Sequence, residues 1–339
     1  MKRSLLVTTE FPPYIGGVAN YYQNFCRRFD NGEIIVLTAK NDKHFEFDSQ
    51  QSFKILRENL LYKSFWPRWL KMIFILKKII KKYQIDEVYV GQALPVGEAV
   101  YFCRVKYTVF FHGLDVALPS KRFFKKIILK SIIKKSGRII VNSLYTKQQL
   151  LRLGAQAGKI SIVYPEVDRN LYNSLSEQTI EKLNNKYSLA GKKILLSVGR
   201  IVKRKGFDKV ISSLPLSIES LKDLVYVIVG EGPELPALKK LSENLNVAPK
   251  VIFTGSISME ELAAFYKLCS AFIMTPFELE NGDVEGFGTV YLEADLFDKP
   301  VIAYISGGVG DAVKQVKRSY LVKSLSAEDI SSAIIACLK

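Results

Sequence analysis

Ala271-Phe272-Ile273-Met274 is a short apolar run; a polar stretch follows, then Glu285-Gly286-Phe287-Gly288-Thr289-Val290-Tyr291-Leu292-Glu293-Ala294, and then Lys299-Pro300-Val301-Ile302-Ala303. An unbroken apolar run of about four to eight residues reads as a strand buried on both faces. Residues 289–297 carry helical spacing, and the glycines just before them mark where the loop ends. Strand, helix, strand is the unit of a parallel sheet covered by helices.

Working outward, the same alternation recurs. In the second half, candidate strands are 193–198, 225–229, 251–254, 271–274 and 301–304, with helical stretches such as 236–245 and 258–268 between them. In the first half the strands are 4–8, 33–38, 87–90, 107–111, 138–142 and 160–163, and a first helix over 18–29 follows Gly16-Gly17. Two such series in 339 residues predict two doubly wound α/β domains, 1–170 and 191–339. Residues 171–190 are polar and rich in Ser and Asn, and are expected to link them.

Charge separates the halves. Residues 1–170 hold 29 basic and 13 acidic side chains and residues 171–339 hold 20 of each, so the whole net charge of +16 belongs to the first half. That half is expected to face something anionic. Residues 68–82 and 121–135 carry much of it, with lysines set between apolar residues at three- and four-residue spacing. Such helices either pack on a core with a solvated basic face or adsorb to an anionic lipid surface; two of them in one domain favour the membrane. Nucleic acid is not expected, since neither an RNA-binding signature nor a basic tail is present. Four scattered cysteines and two histidines make neither a disulfide framework nor a zinc site, and fit a reducing cytoplasmic setting. The longest charge-free run, 11–26, contains two Pro and two Gly, so no segment is expected to span a bilayer.

Four constellations carry candidate chemistry. Glu285 and Glu293 stand eight residues apart around a Gly-x-Gly that opens a helix, whose first amides attract phosphate. One carboxylate could then meet sugar hydroxyls while the other grips a vicinal diol; the plainer alternative is a capped helix with two solvated glutamates. Val198-Gly199-Arg200-Ile201-Val202-Lys203-Arg204-Lys205-Gly206-Phe207 places cations at the end of a parallel strand, where such sheets bind ligands. Arg200 offers a fork and Lys205 a point charge to a diphosphate, while Lys203 and Arg204 read as a solvated basic turn. Gly16-Gly17 allows a backbone to approach a ligand closely, without the G-x-G-x-x-G spacing of a dinucleotide site. His112 ends an apolar strand beside Gly113 and Asp115, in a chain almost free of histidine.

In this order, Gly16-Gly17, His112-Gly113-Leu114-Asp115, Asn142-Ser143, Gly199-Arg200 with Lys205-Gly206, Gly230-Glu231-Gly232-Pro233, the Glu285/Glu293 pair, Lys299-Pro300 and Ser306-Gly307-Gly308 resemble a retaining glycosyltransferase of family 4. The resemblance spans nearly the whole chain. It implies the GT-B fold, two Rossmann-like domains facing a central cleft. It also implies a UDP- or GDP-sugar donor held mainly by the second domain, with no cofactor and no metal. Under it, Arg200 and Lys205 neutralise the diphosphate, Glu285 contacts the sugar and Glu293 holds the ribose. Gly286, Phe287, Gly288 and Thr289 line sugar and phosphate through their amides, and Gly255, Ser256 and Ile257 border the base. Gly16 and Gly17 approach the diphosphate, and His112 lies near the reacting carbon. The acceptor is expected to be a glycan or glycolipid, reached by a protein peripheral to the inner face of the cell membrane. The alternatives are a soluble enzyme of the same fold, a small-acceptor transferase or a sugar-nucleotide epimerase, and a non-catalytic binding module. Three departures from the family pattern stand out: Pro165-Glu166-Val167-Asp168 at the expected hinge, an acidic stretch over 278–283, and an end at Lys339, short of the family's last crossover helix.

Overall fold

The computed structural model describes residues 2–339 apart from 15, 42–43, 121, 168–172 and 174, and apart from the side chain of Leu118. The chain divides into two units, Met1–Glu166 and Val167–Lys339.

The first unit runs β1 (Ser4–Val7), α1 (Gly17–Cys26), β2 (Ile34–Ala39), α2 (Phe45–Ser49), β3 (Lys54–Glu58), α3 (Leu70–Tyr83), β4 (Glu87–Val90), α4 (Glu98–Tyr101), β5 (Lys106–Phe111), α5 (Leu114–Ser120), α6 (Phe123–Lys135), β6 (Arg138–Val141), α7 (Leu144–Arg152) and β7 (Ile160–Ile162). All seven strands are parallel, in the order β3-β2-β1-β4-β5-β6-β7. The central strands are the apolar ones, as burial on both faces demands; Leu5, Leu6, Val88 and Val109 are fully buried. Strand β3 is absent from the apolar-run reading because it is an edge strand. Lys54, Arg57 and Glu58 interrupt its apolar pattern, and Arg57 pairs with Asp48 at 2.7 Å.

The second unit runs α8 (Glu177–Tyr187), β8 (Lys193–Val198), α9 (Phe207–Ser220), β9 (Leu224–Val229), α10 (Leu235–Asn244), β10 (Val251–Gly255), α11 (Met259–Leu268), β11 (Ala271–Met274), α12 (Thr289–Leu296), β12 (Val301–Ala303), α13 (Val309–Val313), β13 (Ser319–Leu321) and α14 (Ala327–Leu338). Its six parallel strands are ordered β10-β9-β8-β11-β12-β13. The expected doubly wound α/β architecture is therefore present in both halves.

Within 171–190, read from sequence as a linker, residues 177–187 form α8. Ser176 caps it, and the Ser176 and Thr179 hydroxyls donate to Glu260 of α11 at 2.9 and 2.6 Å. This helix thus belongs to the second unit. Asp168 of the hinge turn lies outside the described residues.

The two basic helices differ. Helix α3 buries Met72, Ile73, Leu76 and Ile79 along one stripe and keeps its lysines on the other side, as an ordinary surface helix does. Helix α6 buries only Leu129, Ile132 and Ile133 near its C-terminal end. Its first turns leave Phe123, Phe124, Ile127 and Ile128 exposed, the two phenylalanines by 74% and 78%. Lys121, at the start of the basic run, lies outside the described residues. Among the described residues no helix is long and apolar enough to cross a membrane.

Candidate active site

In the second unit the exits of β10, β9, β8 and β11 lie side by side at the C-terminal edge of the sheet. The backbone binds these exits to one another: Gly230 N–H donates to Gly255 O at 3.0 Å and Ile201 N–H to Glu231 O at 2.8 Å. A Cβ on Gly232 would fall 2.1 Å from Ile201 O, so only glycine lets these two loops approach.

The β8 exit carries the cations. Arg200 is exposed; Lys203, Arg204 and Lys205 form a short 3-10 turn that ends at Gly206 with φ +74° and leads into α9. A Cβ at Gly206 would meet Thr275 O at 2.0 Å. The chain leaving β11 clasps this turn from two sides: Thr275 Oγ1 donates to Gly206 O at 2.9 Å, and Phe277 N–H donates to Arg204 O at 2.9 Å. The cation turn and the loop leading to Glu285 are therefore one rigid object.

Between them lies an ion network. Glu285 Oε2 accepts from Lys205 Nζ and, at 2.7 Å, from Arg204 Nη1. Arg204 Nε approaches Asp283 Oδ1 at 2.9 Å, an ionic contact without the alignment of a hydrogen bond. The Lys205, Arg204 and Glu285 side chains are only 12%, 16% and 13% exposed. Burial alone would raise the Glu285 carboxyl, but the Lys205 and Arg204 charges outweigh it and hold it down at about 2. Two sequence readings are corrected here. Arg204 is no solvated basic residue but bridges two carboxylates, and Glu285 is no solvated glutamate. Arg204 and Asp283 are the residues that motif reading missed, because an ion pair across about eighty residues of sequence leaves no local pattern.

The Gly286-Phe287-Gly288 turn leads into α12. Gly288 caps that helix, and Gly308 N–H donates to Glu285 O at 2.8 Å, which fixes the loop from the other side. The Phe287 side chain is buried in the core, so this residue can meet a ligand only through its backbone. Thr289 begins α12, whose first N–H groups have no intrahelical acceptor. Glu293, one helical turn and more along, is half-buried and stands outside the ion network. Its Oε2 accepts from Tyr266 Oη of α11 at 2.8 Å, and the buried Tyr266 ring stacks on Phe297. At the β10 exit, Gly255 has φ +71°, Ser256 N–H points to Glu231 Oε1 at 3.4 Å, and Ile257 packs on the core edge.

In the first unit, Gly16 precedes α1 and Gly17 begins it. His112 follows β5 and is enclosed by Tyr21 and Tyr22 of α1. Tyr22 Oη donates to Gly91 O, so it accepts from His112 Nε2, 2.7 Å away. That assigns the imidazole proton to Nε2 and leaves Nδ1 as an acceptor. Burial lowers the imidazole to about 4, so the ring is neutral at physiological pH. Asp115 Oδ1 accepts from His112 N–H at 2.9 Å, and Asn142 Nδ2 donates to His112 O at 3.2 Å. Burial pushes the Asp115 carboxyl up to about 7, and its Oδ2 is buried with no hydrogen-bond partner among the described residues. No cluster of three or more His, Cys, Asp or Glu side chains placed to hold a metal ion occurs among the described residues.

Comparison with known proteins agrees with this layout. The family model described as "Glycosyl transferases group 1" matches residues 179–339, and "Glycosyltransferase Family 4" matches residues 15–171. The two cover nearly all of the chain, which belongs to the family 4 glycosyltransferases with the GT-B fold. It is 28% identical to a GDP-mannose-dependent alpha-(1-6)-phosphatidylinositol monomannoside mannosyltransferase of Mycobacterium tuberculosis, over 100% of this chain and 89% of that one. It is 22% identical to the alpha-monoglucosyldiacylglycerol synthase of Streptococcus pneumoniae, over 88% of this chain and 70% of that one. Among solved structures, Anabaena Alr3699/HepE in complex with UDP and glucose superposes with a TM-score of 0.80 at 18% identity, covering 100% of this chain and 90% of that one.

Proposed function

We propose that this chain moves a sugar, with retention at the anomeric carbon, from a nucleoside-diphosphate sugar to a hydroxyl of a glycolipid or lipid-linked glycan at the inner face of the cell membrane, without a metal ion. The observation that carries the reading is the Lys205–Glu285–Arg204–Asp283 network beside the first turn of α12. Breaking a sugar–phosphate bond builds positive charge on the sugar and negative charge on the departing diphosphate. Fixed cations and amide dipoles aimed at that oxygen contribute roughly 3–4 kcal/mol each in comparable sites.

In this assignment Arg200 and Lys205 receive the diphosphate with the amides of Gly286, Phe287, Gly288 and Thr289. Ionised Glu285 accepts hydrogen bonds from sugar hydroxyls, and Glu293, steadied by Tyr266, accepts from the ribose. Gly255, Ser256 and Ile257 border the base. Gly16 and Gly17 are assigned to the diphosphate and His112 to the sugar. With Nε2 committed to Tyr22, His112 can only accept at Nδ1, so its partner is a sugar hydroxyl rather than a phosphate oxygen. The leaving phosphate takes the acceptor's proton.

The acceptor class follows from relatives named for phosphatidylinositol mannosides and diacylglycerol, and from α6, whose exposed phenylalanines and isoleucines lie among Lys125, Lys126 and Lys130. The relative uses GDP-mannose and the structural neighbour holds UDP, so the base is the first quantity to measure. UDP, GDP, ADP and CDP are each added, without metal, in a melting experiment. At a hundredfold excess over Kd, the matching nucleotide adds ~2.7 kcal/mol. That raises the melting temperature of a unit this size by roughly 5–10 °C. No shift with any nucleotide at millimolar concentration defeats the donor assignment. Lys125→Glu, Lys126→Glu and Lys130→Glu together should release the protein from phosphatidylglycerol vesicles while nucleotide binding persists; unchanged vesicle binding defeats the membrane reading.

A further inference from the structure

Beneath the exposed turns of α6 runs an open groove of about 210 Å³, walled by Trp69, Tyr101, Phe102, Ile127, Ile128 and Ile132. Ile127 and Ile128 belong both to this wall and to the exposed face with Phe123 and Phe124, so groove and apolar face are one surface. The Trp69 and Phe102 rings stack at 5.6 Å and form one side. The polar side-chain groups of the lining residues are few: the Glu98 carboxylate, the Ser131 and Tyr101 hydroxyls and the Trp69 N–H. Burial raises the Glu98 carboxyl against the opposing pull of the nearby Lys125 and Trp69 side chains, and Ser131 Oγ donates to Ile127 O at 3.1 Å. The rim is cationic: Lys135 Nζ donates to Tyr101 O at 2.6 Å and lies over the Tyr101 ring, and Lys125 stands near Glu98.

We propose that this groove binds an acyl chain of an anionic membrane lipid. A groove lined mainly by aromatic and aliphatic side chains leaves most N–H and C=O groups of a peptide without partners, and burying those unpaired is costly. A polymethylene chain carries no such groups. The lysines at the rim then meet the headgroup's negative charge. The inference rests on the membrane-facing reading of α6 and adds a specific chain-binding site to it.

The test uses the full chain in water without vesicles, titrated with cis-parinaric acid, an anionic acyl probe that fluoresces in apolar sites. Saturable binding of one probe per chain is expected. Ser131→Trp fills the groove, and Phe102→Ala removes one exposed wall at little risk to folding. Each should weaken binding at least about tenfold, the equivalent of losing two or so buried methylenes. Melting temperature and phosphatidylglycerol vesicle binding are followed in parallel. If Ser131→Trp misfolds, Phe102→Ala decides. No saturable binding to the wild type, or unchanged affinity in the folded variants, overturns the groove. The α6 lysine-to-glutamate variant tests adsorption separately, so loss of one reading is distinguishable from loss of the other.

Discussion

Replacing Glu285 by Gln removes the charge that Arg204 and Lys205 share and keeps the side chain's shape. An ordinary glutamate titrates near 4.5, and here the two cations hold it at about 2. A difference of about 2.5 units at 1.36 kcal/mol each makes ionised Glu285 worth roughly 3 kcal/mol to the folded second unit. Because the folded value is depressed, that stabilisation is fully present above pH 4.5 and is lost as pH falls toward 2. Glu285→Gln should therefore lower the stability of the second unit by roughly 3 kcal/mol at pH 7, or about 6–12 °C in melting temperature for a unit this size. By pH 3 the linkage leaves the wild type only about 1 kcal/mol ahead.

The two units can be read independently. The chain's two tryptophans, Trp66 and Trp69, both belong to the first unit, so tryptophan fluorescence follows that unit alone. Hydrogen exchange in peptides from β8 and β9 follows the second. The expected result is a gap in the second unit that closes with acid while the tryptophan transition stays put. A gap under about 1 kcal/mol at pH 7, or the same gap at pH 7 and pH 3, would refute the ion-network argument.

Lys205→Ala and Glu285→Ala should each abolish sugar transfer with circular dichroism unchanged; near-normal turnover in either sinks the assignment. Gly206→Ala drives a Cβ to 2.0 Å from Thr275 O at φ +74°, so roughly 2–3 kcal/mol of stability should disappear, and a melting temperature within a degree of wild type would contradict it. Arg200→Ala should weaken nucleotide binding with little effect on melting, whereas Arg204→Ala should lower both; equal melting temperatures for the two variants would show that Arg204 is not a brace. His112, lowered by burial to about 4, should give no imidazole titration in NMR between pH 8 and 5, and any stability linked to it should fall as pH drops from 6.5 toward 4. A His112 resonance titrating near 6.5, told apart from His44 by His44→Gln, would show the ring is not buried as described.

The apolar strands were legible because burial on both faces leaves an uninterrupted run, as in β8 and β11. Strand β3 was not, since edge position is a property of the assembled sheet and Lys54, Arg57 and Glu58 mask the run. The same limit applies at the site. Glu285 and Lys205 could be picked out by residue type beside glycines at strand exits, but their direct pairing could not. Arg204 follows Lys203 in what reads as a solvated basic turn. Its burial depends on Gly206 pressing against Thr275, and on Phe277 bonding to the Arg204 carbonyl, both about seventy residues away in sequence. Sequence likewise could not separate α3 from α6. Their lysine and apolar spacings are alike, and what differs is where each is buried: along a four-residue stripe in α3, only near the C-terminal end in α6.

Charge balance explains why two arginines so close together have different work. Arg204 and Lys205 face Asp283 and Glu285, two positive charges against two negative ones, so the buried network is neutral as it stands. An arriving diphosphate would draw Lys205 from Glu285, and without Arg204 that would leave a carboxylate buried and unpaired. With Arg204 in place, Glu285 would stay ionised and oriented while Lys205 turned to the phosphate of the proposed donor. On the proposed assignment the negative charge still to be met would fall to the exposed Arg200 and to the first turn of α12, neither of which is spent on a carboxylate among the described residues. The proposed diphosphate-binding pair, Arg200 and Lys205, would thus be completed by a third cation whose partner is the protein itself.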